Sequence, residues 1–184
     1  MLKPNSIIGI LGGGQLGRMT ALAAAELGFK VHVYTPEHDS PTEHICFKTT
    51  NAAYLNAEAL EDFASEVDVV SFEFENIPYK TLEILEKHTK VFPSSGVIKT
   101  CQNRLREKDF INSLGIKTAP YTKVTNKEEL QAAVAKIGVP SVLKTTEMGY
   151  DGKGQYKIEN ASGLPDISKN VEYILEGFVN FTRE

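Results

Sequence analysis

Two periodicities alternate along residues 1–90. Ile7–Leu11 is a short apolar run that ends in glycines. Leu16–Leu27 follows with a helical repeat in which Leu16, Met19, Ala23 and Leu27 share one stripe and Gly28 is the stop signal. Lys30–Tyr34 is a β-branched strand, and a polar loop with Pro36 and Pro41 leads to a second short candidate, Ile45–Thr49. Asn56 is a good N-cap for a helix through about Glu66. Val69–Glu75 returns to a period of two, with Val70, Phe72 and Phe74 on one side and Ser71, Glu73 and Glu75 on the other. Pro78 then opens another helix. Strands alternating with helices predict an α/β fold, a Rossmann-like and mainly parallel sheet with helices on both faces.

The rhythm changes after Val91–Pro93. Asn103–Leu114 reads as a helix stopped by Gly115, and Tyr121–Val124 as a strand after Pro120. Asn126 and Glu129 make a capping-box pair for a helix that buries Leu130, Val134 and Ile137. Strands follow at Ser141–Thr145, Gln155–Ile158 and Tyr173–Leu175. The predicted domains are residues 1–95 and an α+β unit, residues 96–184, that stops in strand-like sequence with no closing helix.

Composition narrows the function classes. A net charge of −4 over 184 residues, with basic residues scattered, argues against a nucleic-acid partner. No apolar run approaches the roughly 20 residues that span a bilayer, so no membrane role is expected. Two cysteines, Cys46 and Cys101, read as reduced thiols of a cytoplasmic protein, with Cys101 a small buried residue. His38, Asp39, His44 and Cys46 match no zinc spacing and read as a solvated loop. His88 reads as a helix-dipole partner.

Two glycine loops carry the candidate chemistry. Gly12-Gly13-Gly14-Gln15-Leu16-Gly17 sits between a strand and a helix, where backbone N–H groups face an anion. A dinucleotide site also wants an acidic residue at the tip of the second strand, and Val31–Thr35 ends without one. That disfavours NAD and leaves two readings: a phosphate contact for a small substrate, or glycine for close helix–sheet packing. At the end of the fourth strand, Glu73 and Glu75 either hold a ribose hydroxyl or substrate amine, or form a solvated strand terminus. The second loop is Gly149-Tyr150-Asp151-Gly152-Lys153-Gly154-Gln155, five residues beyond the strand lysine Lys144. Its glycines let the backbone fold over phosphate oxygens while a rigid lysine supplies charge. The order is not that of a Walker loop, and the bland alternative is a flexible hairpin with a snorkelling lysine.

These motifs, with Gln102–Lys108 and Glu176–Val179, resemble the ATP-grasp superfamily and, within it, the N5-carboxyaminoimidazole ribonucleotide synthetase family. The resemblance covers essentially the whole chain. It implies a pre-ATP-grasp domain followed by the first part of an ATP-grasp domain. It implies that Arg104 and Lys144 reach ATP phosphate and that Gly149–Gln155 closes over the β- and γ-phosphates. By the same resemblance Glu176, Gly177, Phe178 and Val179 form the adenine hinge, and Glu184 holds the adenosine ribose. Gln15, Leu16 and Glu73 would face aminoimidazole ribonucleotide, with Tyr150 and Asp151 between the substrates. Lys144 and Asp151 carry the catalytic roles, Asp151 orienting the substrate amine or taking its proton. The implied partners are ATP, Mg²⁺, bicarbonate and aminoimidazole ribonucleotide, in a homodimer. Family members run on past the equivalent of Glu184, and that half supplies the Mg²⁺ and bicarbonate ligands. This chain, as a fragment or a truncated product, is therefore expected to lack synthetase activity alone. The rivals are a glycinamide ribonucleotide formyltransferase, which typically has Glu where Gln15 stands, and a non-catalytic nucleotide-binding fragment.

Overall fold

A computed structural model describes residues 2–72, 74–149 and 154–183. It forms two units, Met1–Lys99 and Thr100–Glu184. In the first, strands β1 (Ile7–Leu11), β2 (Lys30–Thr35), β3 (Lys48–Asn51) and β4 (Val69–Phe72) form a parallel sheet in the order β3-β2-β1-β4. Helix α1 (Gln15–Glu26) connects β1 to β2, α2 (Ala57–Ser65) connects β3 to β4, and α3 (Tyr79–Leu85) follows β4, in keeping with the alternation of periods. A further helix, α4 (Ser95–Cys101), occupies a stretch with no periodic signal, and Cys101 at its end is exposed rather than buried.

Successive side chains of a strand point to opposite faces, and both faces of this sheet are covered. Ile10 and Val31 pack with Ala21 and Ala24 of α1, while Leu11, Tyr34 and Val70 pack with Leu60 and Phe63 of α2 and Leu82 of α3. The side of α1 against the sheet is Gly17, Ala21 and Ala24. The expected stripe is turned outward instead: Leu16, Met19 and Leu27 are 58%, 57% and 72% exposed. Small residues let a helix backbone approach a sheet closely, and that shape requirement outweighs the transfer energy of the larger side chains here.

Strand ends also shift from their expected places. The amides of Ile45 and Cys46 bond the Thr42 carbonyl in a turn, so β3 begins three residues later than expected, at Lys48. β4 stops at Phe72, and residues 75–76 turn toward Pro78, which is the N-cap of α3. The outer edge of β4 is bonded through Val70, whose amide donates to Lys90 O and whose carbonyl accepts from Phe92 N.

The second unit contains α5 (Arg104–Ser113), β5 (Tyr121–Val124), α6 (Lys127–Ile137), β6 (Ser141–Thr145), β7 (Gln155–Ile158) and β8 (Tyr173–Gly177). Its sheet is antiparallel, in the order β5-β8-β6-β7. Leu130, Ala133 and Val134 of α6 bury against Val124, Leu143, Ile158, Tyr173 and Leu175. The α6 start follows the expected chemistry with one variation. Asn126 Oδ1 accepts from the Glu129 amide at 2.8 Å, but Glu129 reaches back to the amide of Thr125 at 2.7 Å instead of the cap residue's own. By contrast, α5 buries no residue and is held by polar contacts. Among the described residues no helix is long and apolar enough to cross a membrane.

Two stability predictions follow from this packing. Asn126→Ala removes the α6 cap and is expected to cost about 1 kcal/mol in chemical denaturation. His32, 1% exposed, bonds Thr50 Oγ1 at 2.8 Å and packs on the edge of Phe63. Burial pushes its pKa down from 6.5 to about 4, with Glu66 opposing and Lys48 reinforcing the change. An unfolded chain takes up this proton below its ordinary value of 6.5, whereas the folded chain resists until about 4. Stability from neutral His32 is therefore complete above that range and lost as pH falls through it, on the order of 3 kcal/mol. His32→Gln should flatten the fall in melting temperature between pH 6.5 and 4, and an unchanged slope would exclude His32 as its source.

Candidate functional site: a lysine-bearing sheet and a glycine-lined cavity

In the second unit β6 lies between β7 and β8, so Lys144 stands opposite Gln155 on one side and Ile174 on the other. Glu176 pairs with Val142, two residues before Lys144 on the same face. The Lys144 ammonium donates to Glu176 Oε2 at 2.9 Å. The other carboxylate oxygen lies 3.5 Å from the ammonium of Lys108, which projects from α5. The Glu176 side chain is 10% exposed, and those of Lys144 and Lys108 are 28% and 17% exposed. A nearly dry carboxylate thus sits between two cations, the pairing that offsets the cost of keeping it from water.

The loop after Lys144 is tied at both stems. Arg104 Nη1 donates to Thr145 O at 2.9 Å, its Nη2 donates to Gly149 O, and its amide donates to Thr146 O at 2.9 Å. On the returning side the Thr145 amide donates to Gly154 O at 2.9 Å. Gly154 has φ of +71°, and a Cβ there would lie 3.0 Å from Thr145 Oγ1, so a side chain would be strained in conformation and crowded against Thr145. Asn103 adds a bond from Nδ2 to Glu147 Oε1 at 3.0 Å while its Oδ1 caps α5. The structure thus brings Arg104, Lys144, Gly149, Gly154, Gln155 and Glu176 together around one hairpin. Tyr150, Asp151, Gly152 and Lys153 lie outside the described residues.

Past Glu176 the strand ends at Gly177, whose amide donates to Pro120 O at 2.8 Å. Phe178 and Val179 are exposed, and the Lys157 ammonium lies 5.1 Å from the Phe178 ring centre. Glu184 lies outside the described residues.

In the first unit Gly12, Gly13, Gly14, Thr35, Pro36, Glu37, Tyr54 and Phe74 line a cavity of about 260 Å³. Gly14 is the N-cap of α1 and makes no side-chain cap bond. A Cβ on Gly13 would come 2.1 Å from Ser40 Oγ, so only glycine fits this approach. Gln15 and Leu16 are exposed in the first turn of α1. A cavity beside a helix N-terminus is electrostatically suited to an anionic ligand. Glu73 lies outside the described residues, and Glu75 is exposed in the turn after β4.

Two residues at these places escape a reading of motifs alone. Glu37 lies two residues beyond β2, past the strand tip where an acidic group is sought, yet lines the cavity. Lys108 follows Arg104 by four residues, a spacing that places both on one helical face, and this was the available signal.

Known proteins align with both units. Residues 5–102 match the family described as ribonucleotide synthetase preATP-grasp domain, and residues 109–184 match the ATP-grasp domain. The chain is 46% identical to the bifunctional purine synthesis protein purC/E of Dictyostelium discoideum over 100% of its own length and 19% of that protein. It is 40% identical to N5-carboxyaminoimidazole ribonucleotide synthase of Brucella melitensis, covering 100% of the chain and 52% of the relative. The crystal structure of the ADP complex of purK, N5-carboxyaminoimidazole ribonucleotide synthetase, superposes with a TM-score of 0.89 at 41% identity, over 98% of this chain and 49% of that one. The chain therefore spans about half the length of these synthetases. With a parallel sheet carrying a glycine-lined cavity and an antiparallel sheet carrying a paired lysine, the chain belongs to the ATP-grasp ribonucleotide synthetase family.

Proposed function

We propose that this chain supplies the ribonucleotide-binding and first nucleotide-binding parts of an enzyme that carboxylates 5-aminoimidazole ribonucleotide. The reaction joins bicarbonate to the substrate amine and converts ATP to ADP and phosphate, giving N5-carboxyaminoimidazole ribonucleotide for purine synthesis. The observation that carries this reading is the hairpin of β6 and β7, with Lys144 on its strand and Arg104 bracing its stem. Similarity along the whole chain to synthetases of that name supports the choice of substrate.

In this reading bicarbonate attacks the γ-phosphoryl group of ATP and forms carboxyphosphate as ADP leaves. The ribonucleotide amine then attacks the carboxyl carbon, directly or as released CO₂, and phosphate departs with loss of an amine proton. Phosphoryl transfer asks the protein for positioning and charge neutralisation, and this chain offers both. Lys144 supplies a cation on a strand fixed on both sides, and Arg104 holds the carbonyls of Thr145 and Gly149 so that the loop begins at a set angle. Phe178 and Val179 offer apolar surface to the adenine edge, and the glycine cavity beside the N-terminus of α1 suits the ribonucleotide phosphate. Gln15, Leu16 and Glu73 would face the ribonucleotide, Tyr150 and Asp151 the two substrates, and Glu184 the adenosine ribose. Among the described residues no three His, Cys, Asp or Glu side chains converge as a metal site. In this reading the Mg²⁺ ligands come from the part of the relatives that extends past the equivalent of Glu184.

The test uses full-length protein assayed for ADP release with aminoimidazole ribonucleotide and, separately, with glycinamide ribonucleotide and formate. Turnover is expected only with the first pair; turnover with the second would reassign the substrate. Lys144→Met should lower kcat/KM by at least about a hundredfold through lost phosphate stabilisation. The 184-residue chain alone is expected to show no carboxylation above background. An Asp151→Asn enzyme with unchanged turnover would remove that residue from the chemistry.

A further inference from the structure

We infer that Lys108 is a positioning residue of the nucleotide site: by holding the charge of Glu176 from the helix side, it frees Lys144 to engage phosphate. This rests on the reading of the second unit as a nucleotide site. The Lys144 ammonium is 2.9 Å from Glu176 Oε2, so in this structure it is committed to a carboxylate. A phosphate group competes for that ammonium. If Lys144 turned to phosphate and Glu176 had no other partner, a carboxylate with a 10% exposed side chain would be left uncompensated. Lys108 removes that penalty. Its ammonium lies 3.5 Å from the opposite oxygen, Oε1, and can keep the carboxylate paired while Lys144 moves.

The surroundings hold Lys108 to this task. Its ammonium lies 5.7 Å from the centre of the Tyr121 ring, and Tyr121 stands directly opposite Glu176 in the register of β5 and β8. The Tyr121 hydroxyl donates to Asp109 Oδ1 at 2.6 Å, tying the ring to the residue beside Lys108. Because α5 buries no residue, core packing does not account for the placement of a lysine that is only 17% exposed. Arg104 lies one helical turn earlier and braces the loop, so one face of α5 serves the hairpin twice.

The experiment measures ADP affinity by calorimetry in full-length protein carrying Lys108→Met, Lys108→Arg, Glu176→Gln and the double change Lys108→Met with Glu176→Gln. Lys108→Met is expected to weaken ADP about tenfold, and Lys108→Arg to stay within about threefold of wild type. In the Glu176→Gln background the carboxylate no longer competes, so adding Lys108→Met should cost no further affinity relative to Glu176→Gln alone. Unchanged affinity in Lys108→Met, or the same tenfold loss in both backgrounds, overturns the inference. A second readout needs no nucleotide: the rate at which Lys144 is acetylated, followed by peptide mass spectrometry. That rate should fall several-fold in Lys108→Met, where Glu176 pairs with Lys144 alone, and remain near wild type in Lys108→Arg. An unchanged rate also overturns it. Absence of ADP binding in wild type would sink the nucleotide reading itself, while the acetylation rates would still decide the part played by Lys108.

Discussion

Glu176 and the two ammonium groups that flank it set the constraint on which the second unit is organised. A carboxylate with little water around it is costly to bury unless cations stand beside it. Lys144 comes from the neighbouring strand and Lys108 from a helix that contributes nothing to the apolar core. The strand register fixes where Glu176 and Lys144 meet, and the carboxylate in turn gives α5 a reason to lie against the sheet. Polar ties from Asn103 and Arg104 complete that attachment and define the stem of the glycine loop. The proposed phosphate contact and the local architecture therefore share the same few side chains.

The first unit meets a different constraint, the close approach of chain segments around its glycine loop. Its sheet is closed on both faces by helices, and the helix that opens at the glycine loop meets the sheet through Gly17, Ala21 and Ala24. Small residues along that side set the helix close to the strands, and glycine at position 13 admits Ser40 against the loop. The result is a cavity lined by three glycines together with Thr35, Glu37, Tyr54 and Phe74. Its place beside the N-terminus of α1 suits it electrostatically to an anion.

Much of this was legible in the order of residues. Asn56, Asn103 and Asn126 each cap the helix that follows them, because an Asn oxygen can satisfy the free amides of a first turn from its own local position. Lys144 and the glycines after it also announce a strand and a tight loop by short-range chemistry. The outward stripe of α1, the early end of β4 and the exposure of Cys101 were not legible. Each depends on what lies across a packed layer, and periodicity reports only that a helix has a large apolar face, not which side the sheet accepts.

What the sequence by itself determined is therefore most of the elements, α4 excepted, with the two glycine loops and the family. All are written in spacings of a few residues, where capping, turn conformation and periodicity act. Only the tertiary structure decided that Glu176 lies between Lys144 and Lys108, residues 32 and 68 positions apart from it being irrelevant to a pairing set by strand register and helix placement. It also decided that Glu37 reaches the glycine cavity. The physical reason is that charge compensation and close approach depend on distances through space, which chain order leaves open until the sheets have formed.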